Sequence, residues 1–312
     1  MPQKSPVRLL VVGYGSIGAR HARVAAGLGA AIACVTRNTA CPFERFDGLA
    51  TAISAFRPSH VLIANATADH LPSLDALFAT GWSGPVLVEK PLFHVTVPAS
   101  RFAGRDIVVA YNLRFHPLVR ALGERVAGWN LTTASFRVGQ YLPDWRPGTD
   151  YRTSYSASRA GGGGVLRDLS HELDLAYRFC GPLRHLAALG GHLSPLEIDS
   201  DDVFHIIGAA ERCRAVNIEM NYLDRTASRI LTLNGAEGTA RLDFVAGRLD
   251  VVGETIEAKP ERDATYTAQL VAFFAGERHE FCQLVDALHI DATALAAEQA
   301  STTRTWCTVG TP

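Results

Sequence analysis

Three groups of residues in this 312-residue chain have the types and spacing to do chemistry. The first is Gly13-Tyr14-Gly15-Ser16-Ile17-Gly18, a GxGxxG directly after an apolar run. Its first glycine permits a tight turn, its second lets backbone approach a pyrophosphate, and its third lets helix pack on strand, with helix amides facing the anion. Gly13, Gly15, Ser16, Ile17 and Gly18 are therefore candidate dinucleotide contacts. The second group is Glu89-Lys90-Pro91, after another apolar strand. Pro91 restricts Lys90 to extended conformations, and an ammonium can give up its proton where a guanidinium cannot. The chain has only three lysines (Lys4, Lys90, Lys259) against 27 arginines, so a Lys at a strand end draws notice. An ion pair between Lys90 and Glu89 is the competing reading. The third group is Asp168, His171 and Glu172, which follow Gly161 to Gly164. On a continuous helix His171 lies about 60° to one side of Asp168 and Glu172 about 40° to the other. A carboxylate beside an imidazole is a proton-handling pair; the alternative is that these are acids favoured by the helix dipole.

An Asp or Glu about 20 residues beyond the glycines holds the ribose 2′-hydroxyl of NAD. Here the second strand ends in Val35-Thr36-Arg37-Asn38, with no carboxylate. Thr36 and Arg37 suit a 2′-phosphate instead, so NADP is expected and NAD is the alternative.

The elements that must position these groups follow from periodicity. Strands at 7–12, 30–35, 60–65, 85–88 and 107–110 alternate with helical segments at 16–28, 48–56 and 70–80. That alternation implies crossover units and a doubly wound parallel sheet. Beyond about residue 125 the pattern becomes one of strands at 131–142, 202–210, 214–223 and 228–252, with turns at Asn234-Gly235 and Ala246-Gly247. One helix is expected at 165–179, and helical patterns return at 266–274, 280–289 and 292–300. The fold class is α/β, a parallel-sheet domain over 1–120 followed by an α+β domain over 121–312 with a large, mainly antiparallel open sheet.

Apolar residues form 47% of the chain and charged residues 20%, as in folded globular proteins. With 30 cationic and 31 anionic side chains, the chain lacks the basic excess of a nucleic-acid binder. No apolar run approaches the roughly 18 residues that span a bilayer, and the opening residues lack a signal-peptide pattern. The six cysteines form no CxxC pair, so reduced thiols, no metal and a cytoplasmic location are expected.

These motifs together resemble the glucose-fructose oxidoreductase, inositol dehydrogenase and MocA family. The matching pieces are GYGSIGARHAR, the turn from Ala64 to His70, VEKP around Lys90, YNLRFHP from Tyr111 to Pro117, and GGGGVLRDLSHELD. The resemblance implies an N-terminal Rossmann domain and NAD(P)-dependent oxidation or reduction of a sugar or sugar derivative. It implies a homodimer or homotetramer formed through the C-terminal sheet. It adds Asn65, Thr67, His70, Glu89 and Lys90 to the cofactor contacts. In the family pattern a His stands four residues after the helix Asp; here that position is Glu172 and the His is at 171. His171 is preferred for proton exchange, because its ordinary pKa of about 6.5 suits neutral pH, with Glu172 the alternative and Asp168 orienting the group. Asn112, Arg114, Trp145, Arg146, Tyr151 and Arg152 are candidate substrate contacts, the arginines suiting a carboxylate or phosphate. The stretch from Tyr141 to Arg152 is similar to a subgroup of surface-polysaccharide and nonulosonic-acid pathways. Other outcomes in the family are a catabolic dehydrogenase for free sugars or inositol and a non-enzymatic NAD(P)-binding sensor.

Overall fold

The computed structural model describes residues 6–311, so Lys4 lies outside the described residues. The chain separates into two compact units, one of 1–115 with 261–284 and one of 116–260 with 285–312. The sequence boundary at 120 assigns 261–284 to the second domain, whereas these residues pack in the first. The reason is visible in the first unit's sheet, whose last edge strand comes from that segment.

The first unit holds strands β1 (Arg8–Val12), β2 (Ala31–Val35), β3 (Glu44–Phe46), β4 (His60–Ile63), β5 (Val86–Val88) and β6 (Ile107–Val109). Their order is β6-β5-β4-β1-β2-β3, all parallel. Leu9 to Val11, Val61 to Ile63 and Val86 to Val88 are fully buried, as parallel strands covered on both faces require. Helices α1 (Ser16–Gly27), α2 (Leu49–Phe56) and α3 (Thr67–Ala79) connect them. Helix α3 begins three residues before the expected start, with Asp69 favouring its N-terminal dipole. Strand β3 escapes a hydrophobicity reading because it is a short edge strand with exposed Glu44 and Arg45.

The second unit holds β7 (Leu131–Gly139), β8 (Leu183–Gly191), β9 (Val203–Ala210), β10 (Cys213–Asn221), β11 (Ser228–Gly235), β12 (Gly238–Asp243), β13 (Arg248–Val251) and β14 (Glu254–Glu257). With β16 (Cys307–Thr308) they form a nine-stranded sheet, β14-β13-β12-β11-β7-β10-β9-β8-β16. It is antiparallel except where β7 pairs β10 in parallel. Strand β8 reads LRHLAALGG, a composition that favours helix; pairing with β9 and β16 overrides it. The first expected turn lies two residues later, at Ala236-Glu237, because β11 runs through Asn234 and Gly235.

Helix α4 (Pro117–Arg125) starts this unit, and His116 caps it by accepting a hydrogen bond from the Leu118 amide at 3.2 Å. Burial and the nearby Arg229 charge push the His116 pKa down to about 4, so its ring stays neutral and able to accept. The single helix expected at 165–179 is two: α5 (Val165–Asp168) and α6 (His171–Cys180). Asp201 captures the start of α5, its carboxylate accepting from the Leu166 amide at 2.9 Å and its carbonyl from Val165 at 2.9 Å. The backbone then leaves helical geometry at Leu169, where φ is -98° and ψ is 23°.

In the C-terminal part, α7 (Ala264–Ala275) and β15 (Cys282–Gln283) belong to the first unit, where β15 pairs antiparallel with β6. The two helical patterns expected at 280–289 and 292–300 form one helix, α8 (Leu284–Thr303), in which the buried Asp291 interrupts the apolar pattern but not the helix. Among the described residues no helix is long and apolar enough to cross a membrane, and all six cysteines are buried thiols.

Candidate functional site

Gly13 has φ +95°, and a Cβ there would stand 2.6 Å from the Asn65 backbone. A Cβ on Gly18 would collide with the Gly13 carbonyl oxygen. These two glycines are required by the protein's own packing. Gly15 differs, because a Cβ there meets nothing within 4 Å. It is the N-cap of α1, and no side chain caps the helix. Open space beside uncapped helix amides is a cradle that an anionic ligand would fill. Ser16 is exposed and Ile17 half-buried on the same turn. We expect Gly15→Ala to fold with an unchanged melting temperature yet lose at least about 10-fold in dinucleotide affinity. Equal affinity in a fluorescence titration would contradict the cradle.

At the end of β2, Arg37 is exposed. The Thr36 hydroxyl accepts from the Asn38 amide at 3.1 Å, and the Asn38 side chain donates to the Tyr14 carbonyl at 3.0 Å. Asn38 thus ties the loop after β2 to the glycine turn, a role that its sequence position does not disclose. Beside it, Tyr14, Ser16, Arg20, Arg23, Phe43 and Arg262 help line a groove of about 770 Å³. Its cations are partly balanced by Asp263, 2.9 Å from Arg23.

Glu89 is buried, with one oxygen 2.6 Å from His21 Nε2 and the other accepting from the Lys90 amide at 3.1 Å. His21 is fully buried on α1, and the sequence reading passed over it although it stands inside GARHAR. Glu89 is therefore committed to His21 and to the backbone beneath Lys90, a correction to its assignment as a cofactor contact. The Lys90–Pro91 peptide is cis, and Lys90 is half-buried. The His70 ring is also corrected: it is 1% exposed and lies 3.0 to 3.3 Å from the carbonyls of Leu92, Pro91 and Asn65. Burial lowers its pKa, and the ring packs between the turn bearing Asn65 and the one that follows Lys90. Asn65 itself donates to Ser73 at 2.8 Å, and Thr67 is buried at the start of α3.

Two expected substrate contacts are likewise structural. The Asn112 side chain donates to the Thr265 hydroxyl at 2.7 Å, and Arg114, 4% exposed, donates to the Phe281 carbonyl at 2.9 Å. Both fasten the short turn at 112–115 to the returning 261–284 segment of the first unit.

In the second unit, half-buried Asp168 ends α5 and accepts a hydrogen bond from the Tyr222 hydroxyl at 2.7 Å. His171 opens α6 and is half-buried. The break between α5 and α6 removes the continuous helix on which the 60° and 40° offsets rest. Glu172 is 2% exposed and meets Arg229 of β11 at 2.9 Å and 3.3 Å. A carboxylate so engaged is poorly placed to exchange protons with a ligand, which leaves His171 as the accessible member of the pair. Trp145, Arg146 and Tyr151 share one concave surface, with Trp145 packed edge-to-face on Tyr222 at 5.1 Å. Arg152 is bound to Asp150 at 2.9 Å and to Glu197 at 3.1 Å, so its charge is already matched.

No family model and no curated protein matches the chain. Solved structures do. A levoglucosan dehydrogenase in complex with NADH matches with TM-score 0.83 at 16% identity, covering 99% of this chain and 100% of that one. The WlbA dehydrogenase of Bordetella pertussis, in complex with NADH and UDP-GlcNAcA, matches with TM-score 0.80 at 19% identity, covering 98% and 99%. A myo-inositol dehydrogenase of Corynebacterium glutamicum matches with TM-score 0.77 at 22% identity, also covering 98% and 99%. Across nearly its whole length the chain has the two-domain fold of these dehydrogenases.

Proposed function

We propose that the protein is an NAD(P)-dependent oxidoreductase acting on a carbinol or carbonyl carbon of a sugar or sugar derivative. The observation that carries this reading is the pairing of an open Gly15 cradle at the end of β1 with Lys90 at the end of β5. Both lie at carboxyl ends of parallel strands, where ligands of open α/β sheets bind. The residues fit a dinucleotide: Gly13, Gly15 and Gly18 with the α1 amides would hold its pyrophosphate, and Thr36 and Arg37 its ribose end. A nicotinamide, when bound, gives or takes a hydride. Lys90 polarises the reacting oxygen, His171 exchanges its proton, and Asp168 orients that exchange. Trp145, Arg146 and Tyr151 contact the sugar, and the exposed Arg146 suits an anionic group such as the diphosphate of a nucleotide sugar. The sugar ligand of the WlbA structure, UDP-GlcNAcA, has that chemistry.

NADP is the proposed cofactor, because exposed Arg37 stands where an acid would repel the 2′-phosphate. Steady-state assays that follow reduced nicotinamide across sugars and nucleotide sugars test both claims. The expected result is turnover with kcat/KM at least roughly 10-fold higher for NADPH than NADH, the size of one charge-assisted hydrogen bond. A clear NADH preference overturns the NADP assignment. Absence of turnover with any sugar class, despite tight cofactor binding, overturns the enzyme reading in favour of a sensor.

A further inference from the structure

Tyr222 follows β10 directly and is fully buried. Its backbone is fixed on both sides: its amide donates to the Asp202 carbonyl at 2.9 Å, and its carbonyl accepts from the Leu142 amide at 3.0 Å. The ring packs edge-to-face on Trp145. The hydroxyl donates to Asp168 Oδ2 at 2.7 Å. We propose that Tyr222 is a positioning residue for Asp168, donating its one phenolic proton to Asp168 Oδ2 from a ring held in place by its own backbone bonds and by Trp145. The bond commits that oxygen and so restrains the orientation of the carboxylate. Because Trp145 rests on the same ring, the aromatic wall of the substrate surface and the carboxylate are set by one side chain.

Burial, joined by the charges of Asp168 at the end of α5 and Asp201 ahead of β9, holds the phenol's pKa well above its ordinary value. Tyr222 therefore stays protonated and donates at all working pH values. The inference rests on the proposed role of Asp168, and its test has one arm free of activity. With ring-labelled tyrosine, the carbon resonance bearing the Tyr222 hydroxyl is identified by its loss in Tyr222→Phe, a change that keeps the ring against Trp145. Asp168→Asn is expected to move that resonance, because the acceptor loses its charge. An unmoved resonance overturns the hydrogen bond itself, whatever the reaction. In kinetics, Tyr222→Phe is expected to lower kcat roughly 10- to 100-fold with KM for the nicotinamide cofactor changed less than about 2-fold. The double variant with Asp168→Asn is expected to be no worse than Asp168→Asn alone. A moved resonance with full activity in Tyr222→Phe, or with additive losses in the double variant, overturns the positioning role. A moved resonance in a protein without turnover on any sugar instead places the failure in the enzyme reading.

Discussion

Lys90→Ala is expected to lower turnover by about 10²- to 10⁴-fold, the usual contribution of a positioned proton-handling group, while NADPH affinity stays within about 3-fold of the original. The separation is expected because the proposed pyrophosphate cradle is backbone at Gly13, Gly15 and Gly18, whereas the proposed task of the Lys90 ammonium is at the reacting oxygen. The loop should survive the change. Its shape is held by the His21–Glu89 pair, by the Glu89 bond to the Lys90 amide, and by the His70 ring against Pro91 and Leu92. Lys90→Arg keeps a cation but not a dischargeable proton, so it should recover little. Single-turnover kinetics paired with fluorescence titration of the cofactor measure both quantities. Near-normal rates in Lys90→Ala would remove the residue from the chemistry.

The second large effect distinguishes Glu172 from its neighbour. Glu172→Gln leaves Arg229 without its countercharge in a largely buried setting, a loss of about 3 kcal/mol. That corresponds to a melting point lower by roughly 10 °C for a unit of this size. His171→Ala should leave the melting temperature within about 2 °C and instead remove most turnover, together with the proton-transfer limb of the pH profile. Replacing both charges, Glu172→Leu with Arg229→Met, should restore most of the lost stability, since a buried pair exchanged for apolar side chains is often neutral. Differential scanning calorimetry beside steady-state kinetics reads both axes. The reverse pattern, with Glu172→Gln thermally intact but inactive, would move the proton exchange to Glu172.

How much of this was legible in the sequence depended on how local each constraint is. The glycine turn is written in consecutive residues, because backbone clash and left-handed φ are properties of Gly13 and its immediate turn. The alternation of buried strands and helices in the first unit has the same locality. His21, Tyr222 and Arg229 were not legible, since each acquires its meaning from a partner 68, 54 or 57 residues away. The break between α5 and α6 was hidden for the same reason: Asp201, 35 residues from Leu166, anchors the first short helix. Asn112 and Arg114 looked like ligand contacts because polar side chains in a distinctive motif invite that reading. They are instead spent on Thr265 and Phe281, a use visible only once residues 261–284 are known to return to the first unit.

That return has a consequence for how the chain can be divided. A fragment ending near residue 120 would strip β6 of its antiparallel neighbour β15 and lose Leu270, Phe273 and Phe281, buried side chains that share a core with Leu9, Val11, Val108 and Phe115. The first unit is therefore an interrupted module, with residues 116–260 inserted between its main body and its closing helix and edge strand. A stand-alone version calls for a splice that joins residues 1–115 to 261–284 through a short linker, whereas a simple truncation would yield an open sheet edge prone to aggregation.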